Sequence, residues 1–241
     1  MNWETLLKRS YTKYSGKADA AVVLDESNMM YPGVRIENIA FPDTISAEQA
    51  AIYTCLSNGA KPVRLYLKGG NRMTHPLLEY WVDTFQMELV INEELPDQPI
   101  YQHVLPAGID INDYLSKMLD DAIVPYSHFP VSALLHTDKG FVGGVNIECA
   151  DWRLGLCAER VAIAKALSAG ITKFHALHVH TRYGEFSSPC GACRQVIIEH
   201  MPGVPVHLHH ADGTHSVHQS QDLLPYSFRS ITLSNRYDSD N

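Results

Sequence analysis

The chain repeats itself, and the repeat restricts the fold more than any other feature. At an offset of 111 residues, Val34 falls on Val145, Ile36 on Ile147 and Glu37 on Glu148. The same offset takes Ala47 to Ala158, Glu48 to Glu159, Ile52 to Ile163 and Gly59 to Gly170. With small gaps, Tyr14-Ser15 aligns with Tyr126-Ser127, Pro76 with Pro189, and Leu105-Pro106 with Leu224-Pro225. Self-similarity at a fixed spacing marks a duplicated structural unit, and the expected units are residues 1–109 and 110–241. Within each, short apolar runs alternate with longer helical patterns, which predicts an α/β fold. Strands are expected at 20–24, 34–37, 63–67 and 87–92, and again at 131–136, 141–148 and 174–181. Helices are expected at 2–9, 46–56, 76–84, 157–168 and 192–200, with Ser46 as an N-cap. A hairpin across Asp212-Gly213 should join 204–209 to 214–218.

The copies part company at one place. The second contains Leu156-Cys157-Ala158-Glu159-Arg160 and, after 32 residues between Cys157 and Cys190, Pro189-Cys190-Gly191-Ala192-Cys193-Arg194. A catalytic zinc takes three protein ligands and leaves the fourth tetrahedral position to water; Cys157, Cys190 and Cys193 supply three thiolates. Glu159, two residues along the helix start, can move protons for that water. Both Cys157 and Cys190 precede helical runs, whose N-termini favour thiolate over thiol. One or both of Arg160 and Arg194 are expected to donate hydrogen bonds to the sulfurs. Two blander readings remain: a closed structural zinc with His180 or His200 as fourth ligand, and a redox pair of Cys190 and Cys193, which leaves Cys157 and Glu159 unexplained. In the first copy Ser46 stands for Cys157, and Leu77 and Tyr80 for Cys190 and Cys193, so no metal is expected there.

These motifs resemble the zinc-dependent cytidine deaminases. The resemblance runs from about residue 112 to 229 through Pro125-Tyr126-Ser127-His128-Phe129-Pro130-Val131, Val145-Asn146-Ile147-Glu148, Cys-Ala-Glu-Arg, Pro-Cys-Gly-Ala-Cys-Arg-Gln and Leu223-Leu224-Pro225-Tyr226-Ser227-Phe228. It implies a three-layer α-β-α unit, here twice in tandem, with a degenerate first copy. It implies one Zn2+ per chain, in the C-terminal half. It also implies hydrolysis of cytidine and 2′-deoxycytidine to the uridines and ammonia, in pyrimidine salvage. Asn146 and Glu148 match the pair that hydrogen-bonds the ribose, Phe129 the aromatic on the base, Phe228 an aromatic near the mouth, and Ala158 a substrate contact. Relatives carry glycine at Ser132, asparagine at Cys149 and tyrosine at Trp152, and the loop 150–155 reaches a neighbouring subunit's site in them. Single-unit relatives form tetramers, so a two-unit chain is expected as a homodimer. Another aminopyrimidine nucleoside as substrate and a non-catalytic zinc-stabilised scaffold are the alternatives.

Composition narrows the class. A formal net charge of −8 and no basic run disfavour a nucleic-acid partner. No apolar stretch is long enough to cross a membrane, no signal-peptide pattern opens the sequence, and five cysteines do not read as a disulfide framework. Cys55 and Cys149 are expected as buried small residues, and the compartment as the cytoplasm. The histidines at 207–218 are expected on a solvated hairpin face, with His175, His178 and His180 open to the same reading.

Overall fold

The computed structural model describes residues 1–69 and 77–227; Pro76 and Phe228 lie outside them. The chain is α/β. Its first sheet holds β1 (Ala20–Asp25), β2 (Met30–Val34), β3 (Pro62–Leu67) and β4 (Glu88–Ile91) in the order β2-β1-β3-β4. The second holds β5 (Val104–Leu105), β6 (Val131–Thr137), β7 (Gly140–Val145), β8 (Phe174–Thr181), β9 (Pro205–His209) and β10 (His215–Gln219) in the order β10-β9-β8-β6-β7-β5. The inner four strands of the second sheet reproduce the first, including the parallel pairs β3/β4 and β8/β9.

The duplication is visible in individual contacts. Ile36 bridges Tyr11 and Ile45, and Ile147 bridges Ile123 and Leu156. Glu37 accepts from the backbone N–H of Tyr14 and Ser15, Glu148 from those of Tyr126 and Ser127. Helix α1 (Trp3–Leu7) packs on β1 and β2. Helices α2 (Ala47–Leu56) and α3 (Leu78–Thr84) belong to the first half; α4 (Ile111–Met118), α5 (Ala158–Ser168) and α6 (Gly191–His200) belong to the second. Helix α4 lies against β6, β7 and β8, where Leu115 and Met118 meet Leu134, Phe141 and Val145 in a small cluster separate from the main core.

Three expectations change. The second strand is Met30–Val34, not 34–37. Pro32 and Gly33 run against strand propensity, but β2 is an edge, where a missing N–H is tolerated. Gly33 is required there, because a Cβ would come within 2.2 Å of Ala51 N on α2. Helix α4 was not anticipated, although Asp110 caps it by accepting from Asp113 N. Strand β5, assigned by sequence to the first unit, pairs with Val142 and Phe141 of β7; residues 104–105 therefore belong to the second sheet.

The two halves share one core. All ten residues of α2 and ten of the eleven of α5 are buried, as expected for helices covered on every side. They lie side by side, and α5 also touches β2. Polar links cross the same boundary: Val34 N donates to Ser168 Oγ at 3.2 Å, Arg9 Nη1 to Ser168 O at 2.8 Å, and both Tyr11 and Tyr14 hydroxyls to Glu199.

Candidate metal centre and substrate pocket

Cys157 and Cys190 are the N-cap residues of α5 and α6, and Cys193 sits in the first turn of α6. The three sulfurs all lie within 4.8 Å of one another. Cys157 Sγ and Cys190 Sγ are 3.8 Å apart. Tetrahedral coordination at a Zn–S distance of ~2.3 Å places two sulfurs ~3.8 Å apart, the separation of Cys157 and Cys190, so the chemistry of this donor set fits zinc. Among the described residues no histidine or carboxylate completes a fourth corner. His180 hydrogen-bonds the carbonyl of His209, and His200 packs edge-on against Tyr11, so neither closes the site. All five cysteines are free thiols.

Local hydrogen bonding tunes the sulfurs. Hydrogen bonds with Cys157 and Cys193 hold Cys190 well below the usual thiol range, and the backbone N–H groups of Cys193 and Ala192 reinforce this. Cys157 and Cys193 shift upward, because they share hydrogen bonds within the trio and are buried. Glu159 is buried beside them. Burial pushes its carboxyl up to about 7, and the charge of Cys190 pushes the same way. A carboxyl poised near neutrality is suited both to accept and to return a proton.

The arginines do something other than expected. Arg194 donates from Nε to Pro189 O at 2.8 Å, from Nη2 to Ser188 Oγ at 2.6 Å and from Nη1 to Leu223 O at 3.2 Å. Arg160 donates from Nη2 to Asp43 O at 3.0 Å. Neither guanidinium reaches a sulfur. Their fork geometry is used on carbonyls instead, so Arg194 braces the loop that delivers Cys190, and Arg160 fastens the first half to α5.

A cavity of about 380 Å3 opens beside Cys157, lined by Tyr126, Ser127, Asn146, Glu148, Trp152 and Leu156 among others. Asn146 and Glu148 are thus brought together at its wall. Asn146 Oδ1 accepts from Val131 N at 2.8 Å and its Nδ2 donates to Phe129 O at 3.0 Å. Phe129 does not line this cavity; its ring stands half-exposed beside Gly184. Ala158 is fully buried at the start of α5, and Phe228 lies outside the described residues. Of the departures, Ser132 ties β6 to α4 through Leu115 O at 2.8 Å, and Trp152 projects outward, 89% exposed.

The first half serves as an internal control. Ser46 caps α2 by accepting from Gln49 N, and Leu77 takes the N-cap position of α3. At the sugar-pair positions, Arg35 stands for Asn146 and donates to Glu37 at 3.0 Å. An internal ion pair therefore occupies what is an open cavity wall in the second half.

Sequence reasoning missed the first-half residues that hold this pocket. Tyr53 donates to Leu154 O at 2.6 Å and contacts Cys149 Sγ at 2.8 Å, while Gln49 Nε2 donates to Leu154 O at 2.9 Å. Trp81 Nε1 in turn donates to Tyr53 at 3.2 Å. The signal was an asymmetry of the repeat, since Tyr53 falls on Ala164.

The family model described as the cytidine and deoxycytidylate deaminase zinc-binding region matches residues 111–206. The cytidine deaminase of Sporosarcina psychrophila is 42% identical over 120 residues, covering 49% of this chain and 88% of the relative. The chain belongs to the cytidine deaminase family. A second cytidine deaminase, from Halalkalibacterium halodurans, is 40% identical over 111 residues, 45% of this chain and 84% of its own length. A solved cytidine deaminase of Burkholderia pseudomallei shares 37% identity, covers 50% of this chain and all of that one, with a TM-score of 0.47. The cytidine deaminase match of the family model takes in the cysteine trio, Glu159, Asn146 and Glu148.

Proposed function

We propose that the chain is a zinc-dependent hydrolase that deaminates cytidine and 2′-deoxycytidine. The observation that carries this reading is a trio of sulfurs within 4.8 Å of one another, two of them 3.8 Å apart, with a buried carboxyl alongside and a nucleoside-sized cavity against it. Cys157, Cys190 and Cys193 would hold one zinc ion per chain. When bound, zinc makes water nucleophilic at neutral pH. Glu159 would take a proton from that water and deliver it to the ring N3 of cytosine as the water oxygen bonds C4; it would then take the proton of the new C4 hydroxyl and hand it to the amino group as the C4–N bond breaks, which leaves the uracil carbonyl and releases ammonia. Asn146 fixes the 129–131 segment while facing the cavity, and Glu148 presents a carboxylate to the sugar hydroxyls.

The first half is read as a degenerate copy whose task is to hold the 149–155 loop and α5, with no metal of its own. The assembly is proposed as a homodimer, working in the cytoplasm in pyrimidine salvage on free nucleosides rather than nucleic acid. Among the described residues no helix is long and apolar enough to cross a membrane.

The deciding experiment measures ammonia release from cytidine together with zinc content. Wild type should release ammonia and carry close to one zinc per chain. Glu159→Ala should keep that zinc and lose ~10²–10⁴-fold in turnover, the usual range for a missing general acid–base. Retained turnover in Glu159→Ala, or a second zinc per chain that survives exhaustive dialysis against metal-free buffer, would overturn the reading.

A further inference from the structure

The histidines remote from the cysteine trio are only partly solvated, with His175 and His215 exposed. His178 on β8 and His210 after β9 are buried. On the sheet side that carries α4, His178, His207 and His209 of β9, and His215 of β10 make one connected group. His178 Nδ1 lies 3.1 Å from His209 Nε2, and His207 Nδ1 lies 3.2 Å from His215 Nε2. Each contact runs diagonally between adjacent strands, because His178 is in register with His207, and His209 with His215. The rings of His178 and His207 stack at 4.4 Å, joining the two pairs. A cavity of about 900 Å3 opens onto His207, His209 and His215, bordered on its far side by Asp110 and the start of α4.

The spacing has a chemical meaning. With metal–nitrogen bonds of ~2.0–2.1 Å, two imidazoles on one ion stand ~3.3 Å apart in a tetrahedral site and ~2.9 Å apart in a square-planar one. Both observed separations fall between those values. Burial, and then the neighbouring rings, push His178 down to about 3 and His209 down to about 4, and lower His207 as well. These rings are neutral at physiological pH, the form in which imidazole binds metal.

We propose that the two histidine pairs are chelating sites for a borderline divalent transition ion such as Zn2+, Ni2+ or Cu2+, each ion gripped by two imidazoles from neighbouring strands and completed by water from the cavity. Among the described residues no third histidine, cysteine or carboxylate closes on either pair. The ions are therefore exchangeable, unlike one held by the cysteine trio, and each would tie β9 to a neighbouring strand.

The test is equilibrium dialysis of the zinc-loaded protein against Ni2+ alone, with zinc counted in the same sample so that displacement at the cysteines is seen separately. Two nickel ions per chain are expected with zinc content unchanged. His215→Gln, at an exposed position, should lower the count to one, and His209→Gln should remove the other. His136→Gln/His175→Gln, whose rings meet edge-on at 5.5 Å without a nitrogen–nitrogen contact, should bind as wild type. His215→Gln should release ammonia from cytidine at the wild-type rate, which separates this site from the proposed catalytic one. Absence of nickel beyond the zinc, as expected if each pair merely shares a proton, would overturn the proposal. So would an unchanged nickel count in His215→Gln and His209→Gln.

Discussion

Lys165 shows how one residue can set the pH response of the fold. It lies within α5, entirely buried, with a hydrogen bond of 3.2 Å to Asn58 of the first half. Burial lowers its amine from 10.5 to about 7. The unfolded chain therefore holds that proton up to about pH 10.5 while the folded chain releases it near 7, and stability rises with pH across this window. Below pH 7 the full cost of a buried ammonium is present. Lys165→Met should raise stability at and below neutrality and remove a slope of up to ~1.4 kcal/mol per pH unit between 7 and 10. Urea unfolding at several pH values, compared between the two proteins, measures this directly; parallel curves would refute it. A second residue-scale prediction uses the repeat. Asn146→Arg should recreate the Arg35–Glu37 ion pair at Glu148 and close the sugar side of the cavity. KM for cytidine should rise ~10–100-fold, the worth of a hydrogen bond to a charged group, with kcat changed much less.

At the scale of elements, glycines decide how closely sheets and helices approach. A Cβ at Gly144 would stand 2.5 Å from both Ala158 O and Ala162 N, and Gly33 makes the same approach to α2. Backbone cannot yield as a side-chain tip does, so Gly144→Ala should cost at least ~1–3 kcal/mol. Because β7 bears directly on the first turn of α5, it should also weaken zinc retention; chelator competition beside urea unfolding tests both. The metal trio was legible in sequence because three cysteines and a glutamate have few other uses at that spacing. The duplication was legible because Gly59 and Gly170, or Glu37 and Glu148, hold positions that backbone geometry dictates. Strand β2 was not, since Pro32 and Gly33 contradict strand propensity and are tolerated only at an edge. The roles of Arg160 and Arg194 were misread, because an arginine beside a thiolate motif is equally placed to serve carbonyls. Tyr53 was invisible because its partners, Cys149 and Leu154, are about a hundred residues away.

For the whole molecule, the question is whether the half without the cysteine trio is cargo or part of the machine. Tyr53 and Gln49 hold the carbonyl of Leu154 on the loop beside Cys157, and Arg160 is anchored on Asp43. Helices α2 and α5 share a core from which water is excluded on all sides. Such contacts should make the halves unfold as one cooperative unit. The tryptophans permit a clean measurement. Trp3 and Trp81 are buried in the first half, whereas Trp152 is already exposed and contributes little change. Fluorescence therefore reports the first half, and release of zinc to a coloured chelator reports the second. The two signals should fall at one denaturant midpoint with one slope, and Tyr53→Phe should move both together. If zinc were released only after the fluorescence change was complete, the cysteine-bearing half would be standing alone. In that case the hydrogen bonds from Tyr53 and Gln49 would be ornament on a self-sufficient second unit.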